Sequence, residues 1–524
     1  MGQVRNILFI MCDQLRWDYL GAAGHPSLET PNLDALAARG VRFDRAFVQS
    51  PVCGPSRMSC YTGRYAASHG STMNGVPLAV SERGLGDYLK GLGIEASLIG
   101  KSHMTPDLAG MARLGLDSGS SQYRHLSQGG FDVVERDEGM HLDEHLDEGL
   151  AYNAYLAAKG YDGHNPWHGW ANSAEGPDGK ILSGWEMRHA GLPARIAEKD
   201  SETPYMTRRA MEFISRQGDA PWCLHLSYAK PHWPYMAPAP YHALYGPEDC
   251  LPARRTEAER ANAHPLHRGY MTHPEAQVFS DPGRRETVIP TYMGLIRQID
   301  DQMGVLLEHL EQTGRMKDTL IVFTSDHGDQ LGDHWLGEKE LFFEESVRVP
   351  LIIFDPDPAA DATRGSVENR LVEAIDLVPT FIDVLGGYIP DHVLEGLSLL
   401  PLLCQTPVSE WRDQVVSELH YAYIWCRRDL GLGPDQARAT MLRTERWKYI
   451  HHEAFAPQLF DLVEDPDEMR DLGTDPQLEK IRGELALRLF DWFRRRNRRV
   501  TMEDVAIEAR TGAFWERGVL IGKW

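Results

Sequence analysis

Long apolar runs are missing from this 524-residue chain. Stretches such as Ile7–Met11 and Pro350–Phe354 are far too short to span a bilayer, so no membrane segment is expected. Positive charge is also in deficit. Lys and Arg number 54 against 76 Asp and Glu, a formal charge of −22. Phosphate backbones select basic faces, so nucleic acid is not an expected partner. A small anionic substrate stays open, because a few local cations set the sign of a pocket inside an acidic protein. Cysteine is scarce and scattered. Cys12, Cys53, Cys60, Cys223, Cys250, Cys404 and Cys426 are odd in number and form no C-x-x-C pair, which argues against a disulfide framework or a zinc knuckle. The opening Met1-Gly2-Gln3-Val4-Arg5 leads straight into an apolar run with no small-residue cleavage site, so a reducing cytoplasm is the expected address. Internal repeats and low-complexity segments are lacking too.

What is present is an alternating strand and helix rhythm. Asn6–Met11 has strand length. Thr30-Pro31 opens a helix that Gly40 closes, Ser81–Leu92 reads as a helix and Ala96–Gly100 as a strand. Trp222–Tyr228, Thr319–Thr324 and Val349–Phe354 read as buried strands. A long helix over Glu286–Thr313 carries Tyr292, Leu295, Ile296, Ile299, Met303, Leu306 and Leu307 at helical spacing. This pattern predicts an α/β fold with a mostly parallel, helix-covered sheet. It is expected to fill residues 1–400, with 108–200 as an irregular insertion near the active site. Residues 401–500 read as a smaller α+β domain, with strand-like Thr440–His451 and Gln458–Leu462 and a helix over Leu478–Arg495. Residues 501–524 read as a tail whose Phe514, Trp515 and Trp524 suit packing against another subunit. Bland readings apply elsewhere: His451-His452 as surface, Cys12, Cys60 and Cys223 as core, and the basic run Arg494–Arg499 as a helix end contacting an acidic neighbour subunit.

Four strand candidates end at polar residues. Asn6–Met11 runs into Asp13-Gln14, Ala96–Gly100 into Lys101-Ser102-His103, Trp222–Tyr228 into Lys230-Pro231-His232, and Thr319–Thr324 into Ser325-Asp326-His327-Gly328. In parallel α/β sheets the ligand crevice lies outside the carboxyl ends of the strands. A lone Asp-His-Gly is a turn with an Asp cap. Joined with Asp13, it offers two carboxylates and an imidazole to one divalent ion, such as Mn²⁺, Zn²⁺ or Ca²⁺. Lys101, His103 and His232 would surround that ion with positive charge suited to a tetrahedral oxyanion. Cys53-Gly54-Pro55-Ser56-Arg57 precedes a helix over Ser56–Thr62, and a helix N-terminus favours an anionic ester.

Cys53-Gly54-Pro55-Ser56-Arg57, with Thr62-Gly63-Arg64 downstream, resembles the formylglycine signature of type I sulfatases in the alkaline phosphatase superfamily. The resemblance runs in order through Thr30-Pro31-Asn32-Leu33-Asp34, Gly100-Lys101-Ser102-His103, Pro231-His232-Trp233-Pro234-Tyr235, Ser325-Asp326-His327-Gly328-Asp329, Gly337-Glu338-Lys339 and Leu459-Phe460-Asp461-Leu462. It implies an alkaline phosphatase-like sheet with a smaller C-terminal antiparallel part. It implies one divalent ion, Mn²⁺ or Ca²⁺ with Zn²⁺ as an alternative, on Asp13, Asp326, His327 and residue 53, with Gln14 a further candidate. It implies that a maturation enzyme oxidises Cys53 to formylglycine. One oxygen of its hydrate attacks the ester; the other then expels the anion as the aldehyde reforms. By resemblance, Arg57 holds the diol, His103 is the base, Lys101 and Lys339 bind ester oxygens, His232 sits near the leaving group, and Asn74 lines the pocket.

Asp13-Gln14 and Asp326-His327 resemble the branch holding phosphonate monoester hydrolases and choline sulfatases. Lys101 and His103 match the sulfatase pair instead. The resemblance therefore implies an arylsulfatase-type hydrolase of small anionic sulfate esters, promiscuous towards phosphonate monoesters and phosphodiesters, with the reverse ranking as its rival. It also implies a homo-oligomer, dimer or tetramer. A metal-only phosphoesterase with a Cys53 thiol and a non-catalytic binding protein are the remaining alternatives. The wall of the substrate pocket is expected from residues 108–200, where motifs fail.

Overall fold

The first apolar run becomes the strand Asn6–Asp13, buried along its whole length. Ile7, Phe9 and Met11 enter one core and Leu8, Ile10 and Cys12 the other, because successive strand side chains point to opposite faces. A strand covered on both faces has no polar alternation, which is why it reads as a continuous apolar run. The computed structural model describes residues 4–146 and 149–513.

Asn6–Asp13 lies between Thr319–Ser325 and Cys223–Pro231, parallel to both. Ala96–Gly100 pairs parallel with Cys223–Pro231, and Asp132–Arg136 closes that edge, also parallel. On the other side Arg348–Phe354 runs antiparallel to Thr319–Ser325 and to Val41–Phe47. Short parallel strands Ser366–Glu368 and Val372–Glu373 pair with Val41–Phe47. The sheet is thus mixed and mostly parallel. The four strands whose ends carry the polar clusters are adjacent and point the same way.

Helices cover both faces. The long helix Pro282–Gln312 buries Val288, Tyr292, Ile296, Ile299, Met303 and Leu306 against one core. The first helix is Pro31–Arg39, as its Pro and Gly signals predict. Its N-terminus is capped differently from expectation. The Thr30 side chain makes no cap bond. The Asp300 carboxylate of the long helix instead accepts from the backbone N–H of Asn32 at 3.1 Å and of Leu33 at 2.7 Å. The helix expected over Ser81–Leu92 shortens to Leu85–Lys90, opened at Gly84.

Residues 108–200 are less irregular than expected. They supply the edge strand Asp132–Arg136 and the helix Ala151–Ala158. Ser173–Glu175, Ile181–Ser183 and Pro193–Ala194 join Ala237–Pro238 in a small separate sheet. Strands of two to five residues are too short to show a period.

After residue 400, Gln414–His420, Arg438–Thr444, Trp447–His452 and Gln458–Asp461 form an antiparallel sheet. The helix Glu479–Arg495 packs on it through Leu485, Leu489 and Trp492. One surface expectation fails here. His452 is buried with its ring stacked on His264 at 4.2 Å, and burial pushes its imidazole down to about 3. The Arg494–Arg499 run finds partners within the chain: Arg496 pairs with Glu395 at 3.2 Å, and Arg498 donates to the carbonyl of Asp391 at 2.6 Å. Cys12, Cys60 and Cys223 are core, as expected. Phe514, Trp515 and Trp524 lie outside the described residues. Among the described residues no helix is long and apolar enough to cross a membrane.

Candidate active site

The first strand ends irregularly. Its pairing with Cys223–Pro231 shifts register between Cys12 and Asp13, and Gln14 adopts a φ of 66°. A left-handed non-glycine residue costs on the order of 1–3 kcal/mol and must be held by its surroundings. Here the Gln14 N–H donates to Asp326 Oδ1 at 3.1 Å, and its side-chain amide donates to Asp329 Oδ2 at 2.5 Å. Tyr235 also donates to Asp329 Oδ2, at 2.5 Å. Asp326 follows the adjacent strand and reaches back through its own N–H to the Cys12 carbonyl at 3.3 Å. The two strand ends are therefore stitched together at the point where their carboxylates emerge.

Cys53 opens the helix Cys53–Thr62, three residues earlier than expected, and every residue of that helix is buried. Gly63 ends it in the left-handed region at φ 66°. Asn74 Oδ1 accepts from the Gly54 N–H at 2.8 Å, satisfying one of the free donors of the first turn. A Cβ on Gly54 would lie 2.7 Å from that same oxygen, so a larger residue there would push the Asn74 amide aside. Ser56 Oγ donates to the Asp326 carbonyl at 2.5 Å, fixing the helix against the metal-side strand.

Asp13, Cys53, Asp326 and His327 each offer one donor atom, all within 4.8 Å of one another, and all four residues are buried. Ligands on a common divalent cation, with bonds of about 2.0–2.6 Å, lie within about 5 Å of one another, and these four meet that condition. Cys53 Sγ lies 3.0 Å from His327 Nε2 and 3.9 Å from Asp13 Oδ1. Two carboxylates and one imidazole, fully desolvated, fit a divalent ion of hard to borderline character. His327 Nδ1 faces the Gly328 carbonyl at 2.8 Å, which leaves Nε2 directed at the cluster.

Around these donors stand the cations. Arg57 donates from Nε to Asp326 Oδ2 at 2.7 Å and from Nη1 to the Lys101 carbonyl and to Ser227 Oγ, each at 2.8 Å. The Lys101 ammonium is in direct contact with Asp13 Oδ2. Lys339 Nζ lies 3.0 Å from His232 Nε2 and 3.3 Å from Gln14 Oε1. Burial alone would raise the Cys53 thiol; Lys339, His327 and Lys101 overcome it and hold the thiol well below its usual range. Burial and Cys53 push the Asp13 carboxyl up, and Lys101, His232 and Arg57 bring it below the usual carboxylate range. Burial and Lys339 lower His232 to about 4. Burial lowers His327, but Asp326 and Cys53 raise it to about 9, a proton that a cation on the same nitrogen would displace.

The structure thus brings Asp13, Gln14, Cys53, Arg57, Lys101, His232, Asp326, His327 and Lys339 together, with Asn74 beside the helix that carries Cys53. His103 joins them at φ 53°, beside Cys53. Sequence reasoning missed what holds His103 there. Glu138, just past the edge strand, accepts from the His103 N–H at 2.9 Å and from the Ser102 hydroxyl at 3.2 Å. Arg136 donates to it at 2.6 Å. The available signal was its place at a fifth strand end, but that strand was hidden in the segment read as irregular. Ser227, the partner of Arg57, sits inside an apolar strand and gave no signal.

The sulfatase family model matches residues 5–388, and the model described as N-sulphoglucosamine sulphohydrolase, C-terminal, matches residues 332–495. The chain is 33% identical over 514 residues to the multifunctional alkaline phosphatase superfamily protein PehA of Trinickia caryophylli, covering 93% of this chain and 95% of that protein. It is 28% identical to an arylsulfatase of Clostridium perfringens, covering 89% and 90%. Among solved structures it is similar to the phosphonate monoester hydrolase of Agrobacterium radiobacter, at 28% identity and TM-score 0.80, covering 94% and 96%. The enzyme of the same description from Silicibacter pomeroyi gives 29% and 0.82, with the same coverage. With the family model spanning most of its length over a buried cluster of two carboxylates, an imidazole and a cysteine, this chain belongs to the sulfatase family of the alkaline phosphatase superfamily and is a sulfuric ester hydrolase by class.

Proposed function

We propose that the protein hydrolyses small monoanionic sulfate esters of arylsulfatase type and accepts phosphonate monoesters and phosphodiesters as secondary substrates. The observation that carries this reading is the cradle that the Lys101 and Lys339 ammonium groups and the His103 and His232 imidazoles make around Cys53 and its carboxylate neighbours. A divalent cation, Mn²⁺ or Ca²⁺ by donor chemistry, would be held by Asp13, Asp326, His327 and residue 53 and would supply Lewis-acid activation there. Oxidised by a maturation enzyme to formylglycine, residue 53 would supply a hydrate oxygen as nucleophile and a second hydroxyl for release.

The rest falls to the chain's own side chains. Arg57 is fixed by three acceptors, so it can orient the hydroxyls of residue 53 without moving. Lys101 and Lys339 neutralise the ester oxygens, and neither is free to swing into solvent. His103 is placed to take a proton from residue 53. His232 stands beside Lys339 on the leaving-group side.

A second reading puts phosphonate monoesters first. It is favoured by the TM-scores of 0.80 and 0.82 to phosphonate monoester hydrolases, against 0.67 for a sulfatase from Bacteroides thetaiotaomicron. Charge does not separate the two, since both substrates are tetrahedral monoanions. The test is kcat/KM for an aryl sulfate and an aryl phosphonate monoester sharing one leaving group. A higher value for sulfate supports the first reading; a higher value for phosphonate replaces it with the second.

A further inference from the structure

Lys230 lies at the end of the strand that delivers His232, yet it has no part in the chemistry above. It is buried. Its ammonium donates to the Pro234 carbonyl at 2.8 Å and to Asn172 Oδ1 at 2.9 Å, and it reaches the His232 carbonyl at 3.5 Å. Two of the four residues from 231 to 234 are proline, which has no N–H to give. The loop can close few backbone bonds of its own, so a cation set between its carbonyls takes over that work. At the far end of the loop, the Tyr235 hydroxyl is held by Asp329. His232 therefore stands in a loop tied at both ends.

A buried ammonium needs a counter-charge. Glu202, the first residue of the helix Glu202–Arg216, faces it. Glu202 is 5% exposed, and neither carboxylate oxygen makes a hydrogen bond of ordinary geometry, although the Trp167 indole lies beside it. Asp137 is the second carboxylate facing Lys230. Its Oδ1 accepts from the Gly139 N–H at 2.9 Å and lies 2.7 Å from His141 Nε2, while its Oδ2 is buried without a partner. Burial and Asp137 push the Glu202 carboxyl up to about 7, and burial brings the Lys230 ammonium down to about 8 against the pull of Glu202 and Asp137.

The same cluster supports the other histidine. Asp137 immediately precedes Glu138, which holds Ser102 and His103. The Asp137 N–H donates to the Gly100 carbonyl at 3.1 Å. Gly139 then turns at φ 70°, where a Cβ would collide with the Ala229 side chain and lie 3.6 Å from Glu202 Oε1. The turn carrying Glu138 thus rests on the residue before Lys230 and on Glu202. One buried charge cluster braces two loops that leave two different strands.

We propose that Lys230 and Glu202 are positioning residues that fix His232 relative to His103, with the Lys230 ammonium acting through the His232 and Pro234 carbonyls. This rests on the ester-hydrolase reading above and deepens it by naming what sets the separation of its two histidines.

The test is a mutant cycle on the metal-loaded, matured enzyme, with kcat and KM measured on phenyl sulfate and on phenyl methylphosphonate and Tm by thermal unfolding. Lys230→Met should lower kcat about tenfold to a hundredfold with KM within about threefold, because a small misplacement of a reacting group is costly. It also leaves Glu202 and Asp137 facing each other without their cation, so Tm should fall by several degrees. Adding Glu202→Gln removes one of those two charges. The double variant Lys230→Met/Glu202→Gln should regain most of the Tm and little of the kcat, and it carries the test if Lys230→Met alone does not fold. In a His232→Ala background, Lys230→Met should lower kcat by less than about twofold further. Recovery of kcat together with Tm in the double variant would overturn the positioning role and leave a core ion pair. A loss of the same size with and without His232 would overturn it too. Both results leave the hydrolase reading intact. A wild type that turns over neither ester would instead sink the hydrolase reading, and the positioning role with it.

Discussion

The reaction centre and a cavity of about 610 Å³ walled in part by Trp233, the residue after His232, are built on opposite plans. At the centre, Asp13, Cys53, Arg57, Asp326 and His327 are all but fully buried, and each is held by at least one bond from a different stretch of chain. In the cavity, Trp185, Met187, Trp233 and Arg284 are half-buried, and its ion pairs are partly solvated. Pre-organised charge needs low dielectric and fixed geometry. The difference teaches that this fold keeps its fixed, desolvated charge at the strand ends and leaves softer, partly solvated surface in the segments added over the sheet edge.

The sharpest way to break that comparison is at the centre. Cys53→Ala should lower kcat by at least about four orders of magnitude while the protein stays folded. A variant that keeps most of its activity would make residue 53 structural and the metal-only mechanism correct. Asp326→Asn should cost about a thousandfold in kcat/KM and reduce the metal content below one ion per chain, as measured by elemental analysis. Unchanged metal content would remove Asp326 from the ligand set.

One shell out, the effect should be smaller and of a different kind. Glu138→Gln keeps the shape of the side chain and weakens its charge-assisted bonds to Ser102 and His103. It should lower kcat by about tenfold to a hundredfold, shift the pH profile and leave KM within about threefold. Equal effects on kcat and KM would mean that Glu138 supports the fold rather than the position of His103.

The smallest effect lies under the scaffold, in stability. Burial disfavours a charged His334, but its bond to Glu259 at 2.6 Å and its pairing with Glu345 raise it to about 10. A histidine whose folded value lies above its unfolded value contributes stability that is complete below the unfolded value, about 6.5. That contribution fades as pH climbs towards 10. The Tm gap between wild type and His334→Gln should therefore be widest near pH 6 and narrow steadily by pH 10. A gap that widens with pH would reverse the assignment.

The contrast between centre and cavity also marks what could be read without coordinates. Strand ends announced the centre, because Asp13, Lys101, His232 and Asp326 each follow a short apolar run and parallel strands deliver their carboxyl ends to one edge. The mostly parallel part of the sheet and its helices followed from the same rhythm. Lys339 follows no strand and entered only through the resemblance of its motif. Glu138 stayed hidden, since the five-residue strand before it shows no period. Trp185 stayed hidden as well, because its contact with Trp233 joins positions 48 residues apart in sequence, with the strand Pro193–Ala194, the helix Glu202–Arg216 and the strand Cys223–Pro231 between them. Capping by Asp300 and burial of His452 depend on partners far away in sequence, 267 residues in the first case, which no local pattern encodes.

The most direct test of the account is whether activity tracks the oxidation state of residue 53. Preparations made with increasing amounts of a formylglycine-generating enzyme would be scored for the aldehyde at position 53 by peptide mass. Each would then be assayed for kcat on phenyl sulfate. The account predicts a straight line through the origin, with the unconverted thiol form inactive. A rate independent of the converted fraction would contradict it and leave Cys53 as a thiol beside a metal that works alone.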